Sequence, residues 1–327
     1  MQLLDSSTVV GKPRVKKLII VSLLVVAILS LRTSPSQAVS ATLGDHQSSS
    51  TVSATLDRLN NYPTLDTLKR PSIYAGEYLL IDAETGEIIL GKNFTTQQAV
   101  ASTTKMTTAL VARAVYKLDD VLTVKSGPYI DGSKVGLYVG ETMTVESLLK
   151  GLMIQSGNDA AVTLAEGLST ESGDTAEFVT KMNEYLSAHH INHSKFVDPA
   201  GLNDEGQSTA FDLAQIGRLL MRDEELASIV RIAQTTISSA DGKYTHELKN
   251  SNRLILSDSE YYLPGVSGIK TGFTYAAGHC LVSAYTINDR QVIAVVLNTA
   301  ESSITASAEE SYKLLTWASL HLSYKSY

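Results

Sequence analysis

The sequence predicts an α+β fold: a sheet made from N- and C-terminal strands, flanked by helices, with an all-helical lobe. Three observations carry this expectation. Strand-like apolar stretches occur near residues 77–90 and again after Gly268. The residues between them carry apolar side chains at helical spacing. At 327 residues and 43% hydrophobic content, the chain can bury one large core or two modest ones. Strands at both ends with helices between imply a layered arrangement, with one helical layer on one face of the sheet and the helical lobe on the other. Periodicity leaves the strand order open.

The chain opens with a targeting pattern. Lys12, Arg14, Lys16 and Lys17 precede the apolar run LIIVSLLVVAILSL, Leu18–Leu31, which has signal-peptide length and is short for a spanning helix. Small residues follow at Ser36-Gln37-Ala38 and at Val39-Ser40-Ala41. Residues 1–38 are therefore expected to be a cleaved signal peptide or a retained N-terminal membrane anchor, and the protein to be exported to the outer face of the cytoplasmic membrane or the cell wall. Loss of residues 1–38 removes five basic residues and one acid, taking the formal net charge from -7 to -11. Residues 39–71 are rich in Ser, Thr and Ala and sustain no apolar period, so they read as a linker. VSATL occurs at Val39 and again at Val52, too short a repeat to bury anything. Residues 72–327 are left as the folded domain.

Within it, EYLLID (Glu77–Asp82), a turn containing Gly86, and EIIL (Glu87–Leu90) predict a hairpin. Thr107, Ala109, Leu110, Ala112 and Val115 give an apolar face to a helix from about Ser102 to Tyr116. TVESLLKGLMI predicts a second helix, with Thr144 as N-cap. QSGN interrupts it, DAAVTLAEGL resumes as a third, and a fourth runs from about Asp174 to Ala188. STAFDLAQIGRLLM is amphipathic and starts with the capping pattern Thr209-x-x-Asp212. GHCLVSAYTI and QVIAVVLNT flank a turn at Asn288-Asp289, and a last helix spans about Ser307 to Leu322.

Several functions are excluded or disfavoured. No basic stripe survives past the N-terminus, so a nucleic-acid partner is not expected. A single cysteine, Cys280, permits no intramolecular disulfide and reads as a small buried side chain in a strand. His189-His190-x-x-His193 lacks the Glu of a zinc-peptidase helix and reads as a polar loop. Neither a metal nor a cofactor is expected.

The chemistry starts at ASTTKMTTAL. Ser102 and Lys105 lie three apart, on one face of a helix, so a neutral lysine could take the serine proton. Burial lowers a lysine pKa enough for that role. Alone, the spacing equally fits an ordinary helix start. Ser156-Gly157-Asn158 sits between two apolar helical runs, where it is either a plain connection or a polar wall. Lys270-Thr271-Gly272 is either a strand start or a third polar segment.

In this order, Ser-x-x-Lys, Ser-x-Asn and Lys-Thr-Gly resemble the penicillin-binding proteins and serine β-lactamases. The surrounding segments QSGNDAAVTLAEGL, DPAGLNDEGQSTAFDLAQIGRLLM and GIKTGFTYAAGHCLVSA are similar to the low-molecular-weight D-alanyl-D-alanine carboxypeptidases, from about Ser72 onward. The resemblance implies a β-lactamase/transpeptidase-like fold with the active site between the sheet and the helical lobe. It implies Ser102 as nucleophile and Lys105 as its base. Ser156 would relay a proton, and Asn158 would hold the peptide and orient Lys105. Lys270 and Thr271 would bind the substrate at an edge strand, beside Gly272, and the amides of Ser102 and Phe273 would form an oxyanion hole. The implied partners are a peptidoglycan stem peptide ending in D-Ala-D-Ala and, as covalent inhibitors, β-lactam antibiotics.

Alternatives within reach are a DD-endopeptidase, a class A-like β-lactamase and a non-catalytic peptidoglycan-binding relative. The lactamases carry a Glu after Ser-x-Asn that activates water. Here no Glu falls between Glu184 and Glu205, so slow release of bound penicillin is expected. Two departures stand out: Ser267-Gly268 where many relatives have Asp-Gly, and Arg253, whose register does not match the arginine some relatives place before this motif. The 55 residues after Gly272 are expected to be used by the peptidase fold itself. Any membrane attachment is then expected through residues 18–31.

Overall fold

The computed structural model describes residues 70–322. The segment expected to be a signal or anchor, and the expected linker up to residue 69, lie outside the described residues. In chain order the elements are β1 (Glu77–Asp82), β2 (Ile88–Lys92), β3 (Gln98–Ala99), a 3-10 turn (Ala101–Thr104) running into α1 (Lys105–Val115), β4 (Val121–Thr123) and β5 (Thr142–Thr144). Then come α2 (Val145–Met153), α3 (Asn158–Glu166), α4 (Ala176–Ala188), β6 (Gln207–Ser208), α5 (Ala210–Arg222) and α6 (Glu224–Ile229). The hairpin β7 (Gln234–Ser238) and β8 (Thr245–Lys249) precedes β9 (Val266–Thr274), β10 (Gly278–Ile287), β11 (Arg290–Thr299) and α7 (Ala306–Leu322).

The principal sheet is antiparallel, in the order β2-β1-β11-β10-β9. The N-terminal hairpin therefore joins the C-terminal strands, as the sequence pattern predicts, with Glu77 opposite Leu297 and Asp82 opposite Val292. Asn288 and Asp289 both adopt positive φ (46° and 64°), the backbone that a two-residue hairpin turn requires.

Alternation along the strands divides the core. Leu79, Ile81, Ile293 and Val295 face the helical lobe, whereas Leu80, Val292, Ala294 and Val296 meet Leu314, Leu315 and Ala318 of α7. With both faces covered, β10 and β11 read as nearly continuous apolar runs. In the lobe, α1 is central: every residue from Lys105 to Ala112 is buried. Thr144 accepts a hydrogen bond from the Ser147 amide and Thr209 one from the Asp212 amide, the two N-caps expected from sequence. Each cap contributes about 1 kcal/mol. No helix among the described residues is long and apolar enough to cross a membrane.

Three features differ from the sequence reading. Ser102 lies on the 3-10 turn rather than on an α-helix, because Ala101 is held at φ 49° and the Thr103 hydroxyl and amide both turn back to the Val100 carbonyl. Asn158 begins α3 instead of belonging to the break before it, and Gly157 takes the cap position. The β7–β8 hairpin has buried Ile237, His246 and Leu248 alternating with exposed polar residues, a pattern too polar to have been read as strand. Cys280 is fully buried in β10, and burial pushes its thiol up to about 12. Of the three histidines, His189 stacks on Tyr185, while the His193 amide donates to the Asp212 carboxylate.

Candidate active site

The site forms where the 3-10 turn meets β9, and two glycines permit the meeting. A Cβ on Gly272 would lie 3.0 Å from both the Ser102 amide nitrogen and the Val100 carbonyl oxygen. A Cβ on Gly201 would lie 2.0 Å from the Ala101 carbonyl oxygen, and Gly201 also holds φ +73°. So the edge strand closes on one side of Ser102 and the strap Asp198–Asn203 on the other. The strap is fixed by the Asp198 carboxylate, which accepts the amides of Ala200, Gly201, Leu202 and Asn203.

A 3-10 turn has three residues per turn, so side chains at i and i+3 eclipse. Lys105 accordingly sits directly against Ser102, with Nζ 2.7 Å from Ser102 Oγ. The same Nζ is 2.7 Å from Asn158 Oδ1 and 2.7 Å from the Ala200 carbonyl oxygen. Lys105 is completely buried. Burial lowers its pKa to about 7, against the opposing charges of Asp198 and Asp159. A neutral amine has two hydrogens and one lone pair. Asn158 Oδ1 and the Ala200 carbonyl can only accept, so they take the hydrogens, and the lone pair is left facing the Ser102 hydroxyl.

The opposite wall comes from the α2–α3 connection. Ser156 is held at φ 63°, and Asn158 is pinned by its amide to the Ser133 carbonyl (2.8 Å) and by Nδ2 to the Asp131 carbonyl (2.5 Å). The loop bearing Asp131 and Ser133 is itself held by the buried Asp159 carboxylate, which accepts the amides of Val135, Gly136 and Leu137. Lys270 reaches across from β9 and donates to Ser156 Oγ at 2.9 Å and to the Thr271 carbonyl at 2.9 Å. Its pKa is held well below the ordinary lysine value, first by burial and then by the nearby Lys105 charge. Two serine–lysine pairs thus face one another across the cleft.

The cleft itself is a cavity of about 360 Å³. Ser102, Ser156, Asn158, Thr271, Gly272 and Phe273 line it, while Lys105 and Lys270 lie fully buried beneath it. All eight residues singled out by sequence therefore converge. Sequence reasoning missed the Ala200 carbonyl, the Asp131–Ser133 wall and Ser251, whose hydroxyl lies 2.6 Å from Thr271 Oγ1. A backbone carbonyl leaves no trace in residue type; only the Asp198-x-x-Gly201 spacing hints at a tight strap. Arg253, set aside on register, lines the cavity and has no acidic partner among the described residues. Glu205 is exposed and does not line the cleft.

The family model for D-alanyl-D-alanine carboxypeptidase matches residues 64–301. The chain belongs to that family. The D-alanyl-D-alanine carboxypeptidase DacF of Bacillus subtilis is 37% identical over 226 residues, covering 67% of this chain and 56% of the relative. DacC of Escherichia coli is 35% identical over 266 residues, covering 77% of this chain and 62% of the relative. The chain thus spans somewhat more than half the length of these carboxypeptidases. Among solved structures, the Streptomyces K15 DD-transpeptidase superposes with a TM-score of 0.69 at 30% identity, over 76% of this chain and 98% of that one. The likeness establishes the penicillin-binding-protein fold, with family motifs lying in the cleft just described.

Proposed function

We propose that this protein is a serine-type D-Ala-D-Ala carboxypeptidase, removing the terminal D-alanine from peptidoglycan stem pentapeptides through an acyl-enzyme. The observation that carries the reading is the Ser102–Lys105–Asn158 hydrogen-bonded set facing Lys270–Ser156 across one cleft. Neutral Lys105 takes the Ser102 proton as Oγ attacks the carbonyl between the two D-alanines. The oxyanion is received by the amides of Ser102 and Phe273; such donors stabilise it by about 3–4 kcal/mol each. Ser156, hydrogen-bonded to Lys270, hands a proton to the departing amine. As the C–N bond breaks and D-alanine leaves, the proton that Lys105 took replaces the one Ser156 gave up, which leaves Lys105 neutral. Water then attacks the ester, Lys105 takes its proton, and that proton returns to Ser102 Oγ as the shortened peptide is released. Arg253 and Thr271 meet the terminal carboxylate, a role supported by the unpaired guanidinium in the cavity.

A β-lactam enters the same sequence and stops at the ester, because its leaving amine stays tethered to the acyl group and keeps water from the carbonyl; among the described residues no carboxylate lines the cleft as the separate base that a class A-like enzyme uses. A class A-like β-lactamase is disfavoured on this ground. Residues 18–31 either anchor the protein at the outer face of the cytoplasmic membrane or leave with a cleaved signal, a reading that rests on the charge and length of that segment.

The test is intact mass after exposure to benzylpenicillin, with D-alanine release from a free pentapeptide measured alongside. Wild-type protein gains one penicillin and holds it for hours; Ser102→Ala gains none. An adduct that vanishes within seconds while the drug is consumed would make the protein a β-lactamase. No adduct and no D-alanine release would make it a non-catalytic relative. Arg253→Ala is expected to raise KM for the pentapeptide about tenfold, as loss of a charge-assisted pair costs on the order of 1.5 kcal/mol.

A further inference from the structure

A second cavity, of about 460 Å³, shares no lining residue with the cleft. Its walls are the β1–β2 turn at Gly86, the end of α4 at His189 and His190, and the face of α5 from Asp212 to Arg222. In the strand order β2-β1-β11-β10-β9, that turn belongs to one edge of the sheet and the catalytic strand β9 to the other. Arg218 and Arg222 set the charge of the cavity, four residues apart on one face of α5. Like charges at that spacing cost helix stability rather than add to it.

Arg218 is fixed in place. Its Nε donates to the Ala83 carbonyl at 2.8 Å, Nη2 to the Glu84 carbonyl at 2.7 Å and Nη1 to Gln215 Oε1 at 2.7 Å. The guanidinium lies so close to the turn that a Cβ on Gly86 would be 2.5 Å from Nη1. All three acceptors are neutral, and two of the five guanidinium N–H groups are left unused. Burial, and then the nearby charge of Arg222, lower the Arg218 pKa against the opposing charge of Asp82. No carboxylate answers either cation. The arginine ion pairs among the described residues are Arg113–Asp223 and Arg290–Asp82. Asp223, next in sequence to Arg222, is therefore already paired elsewhere, and so is Asp82.

Two histidines stand on the facing wall. His189 Nδ1 lies 2.8 Å from the Tyr185 carbonyl, which only accepts, so Nδ1 carries the hydrogen and Nε2 is left over. His190 is exposed beside it. The one carboxylate in the lining, Asp212, precedes Arg218 by six residues, about 9 Å along the helix. It already accepts the His193 amide and the Ser194 hydroxyl, each at 2.8 Å, and lies 3.7 Å from His193 Nδ1.

We propose that this cavity is a binding site for a phosphate group, held by the Arg218 and Arg222 guanidiniums with His189 facing them. A phosphate ester brings several acceptor oxygens and up to nearly two negative charges, which suits two guanidinium forks. A carboxylate brings two oxygens and one charge. A phospholipid headgroup and a soluble phosphate ester share this chemistry. The site stands apart from the peptidase reading, because none of its residues belongs to the cleft.

The full chain is titrated with inorganic phosphate, glycerol 3-phosphate and acetate by calorimetry at low ionic strength. Wild type is expected to bind both phosphates about tenfold or more tighter than acetate. Arg222→Gln, at an exposed side chain without an ion-pair partner, is expected to weaken phosphate binding about tenfold. Arg218→Lys keeps the charge and loses the fork, and is expected to weaken it several-fold. Arg253→Ala, which removes the unpaired guanidinium of the cleft, is expected to bind phosphate as wild type does. Circular dichroism and acylation by penicillin report that Arg222→Gln is folded with its cleft intact. Flotation with phosphatidylcholine vesicles, with and without phosphatidylglycerol, separates the two sources. A gain from phosphatidylglycerol that Arg222→Gln loses assigns the site to a headgroup; phosphate binding without that gain assigns it to a soluble ester. Four results would each overturn the site: phosphate binding unchanged in both Arg222→Gln and Arg218→Lys, phosphate binding lost in Arg253→Ala, acetate bound as tightly as phosphate, or no phosphate-dependent binding by wild type in any of these assays.

Discussion

Acylation of Ser102 should follow the titration of Lys105. An ordinary lysine pKa is 10.5, and this one is lowered to about 7 by burial. At pH 7 the ordinary side chain would be neutral in roughly one molecule in three thousand, and this one in about half. Burial therefore raises the concentration of competent base on the order of a thousandfold. Holding the amine neutral costs roughly 5 kcal/mol of folding free energy at neutral pH. The sign is fixed, because the unfolded chain binds this proton up to about pH 10.5 and the folded one only up to about pH 7. The second-order rate of acylation by a chromogenic cephalosporin, taken from about pH 5.5 to 9, should rise about tenfold per unit below pH 7 and level off above it. Asp198 holds the Lys105 pKa up, so Asp198→Asn should move the rising limb to lower pH. A profile flat between about pH 6 and 8, or one still climbing steeply above pH 9, would refute the assignment of Lys105 as the base.

Three substitutions test the supports. Asp159→Ala strips the acceptor from three loop amides; a loss of about 3 kcal/mol is expected in urea unfolding, with slower acylation as the Asn158 wall loosens. Gly201→Ala forces a Cβ onto the Ala101 carbonyl at positive φ, so acylation should fall by more than tenfold even where the protein remains folded, by circular dichroism. Thr209→Ala removes one cap that does not line the cleft and should cost about 1 kcal/mol in stability with the acylation rate unchanged.

The sequence carried the large elements because their signals are local. EYLLID, the two long C-terminal strands around Asn288-Asp289, and the Thr144 and Thr209 caps each announce themselves within a few residues. The catalytic side chains were legible for a different reason: Ser-x-x-Lys, Ser-x-Asn and Lys-Thr-Gly are chemically restrictive. What could not be read is how three distant segments complete the base. The third partner of Lys105 is the carbonyl of Ala200, and any residue type supplies a carbonyl. The left-handed backbone of Ala101 and Ser156 was equally hidden, since neither residue favours it. Tertiary contacts impose it, which is also why Ser102 sits on a 3-10 turn instead of an α-helix. The β7–β8 hairpin was missed although Asp241-Gly242 marks its turn, because the flanking strands bury only alternate, partly polar residues.

The sheet's wiring has a consequence for how the protein is made. β1 emerges early but finds its inner neighbour only when β11 appears, with Glu77 opposite Leu297. Closing so long a loop costs ~5 kcal/mol of chain entropy, and until then a six-residue strand, every residue of which ends up buried, has one sticky edge unpaired. Topologies dominated by such distant pairings are slow to fold. Chemistry waits on the same event. A chain halted after Tyr285 would contain all eight motif residues, yet it would lack the strand that joins β1 to β10. It would be a complete catalytic vocabulary with no grammar.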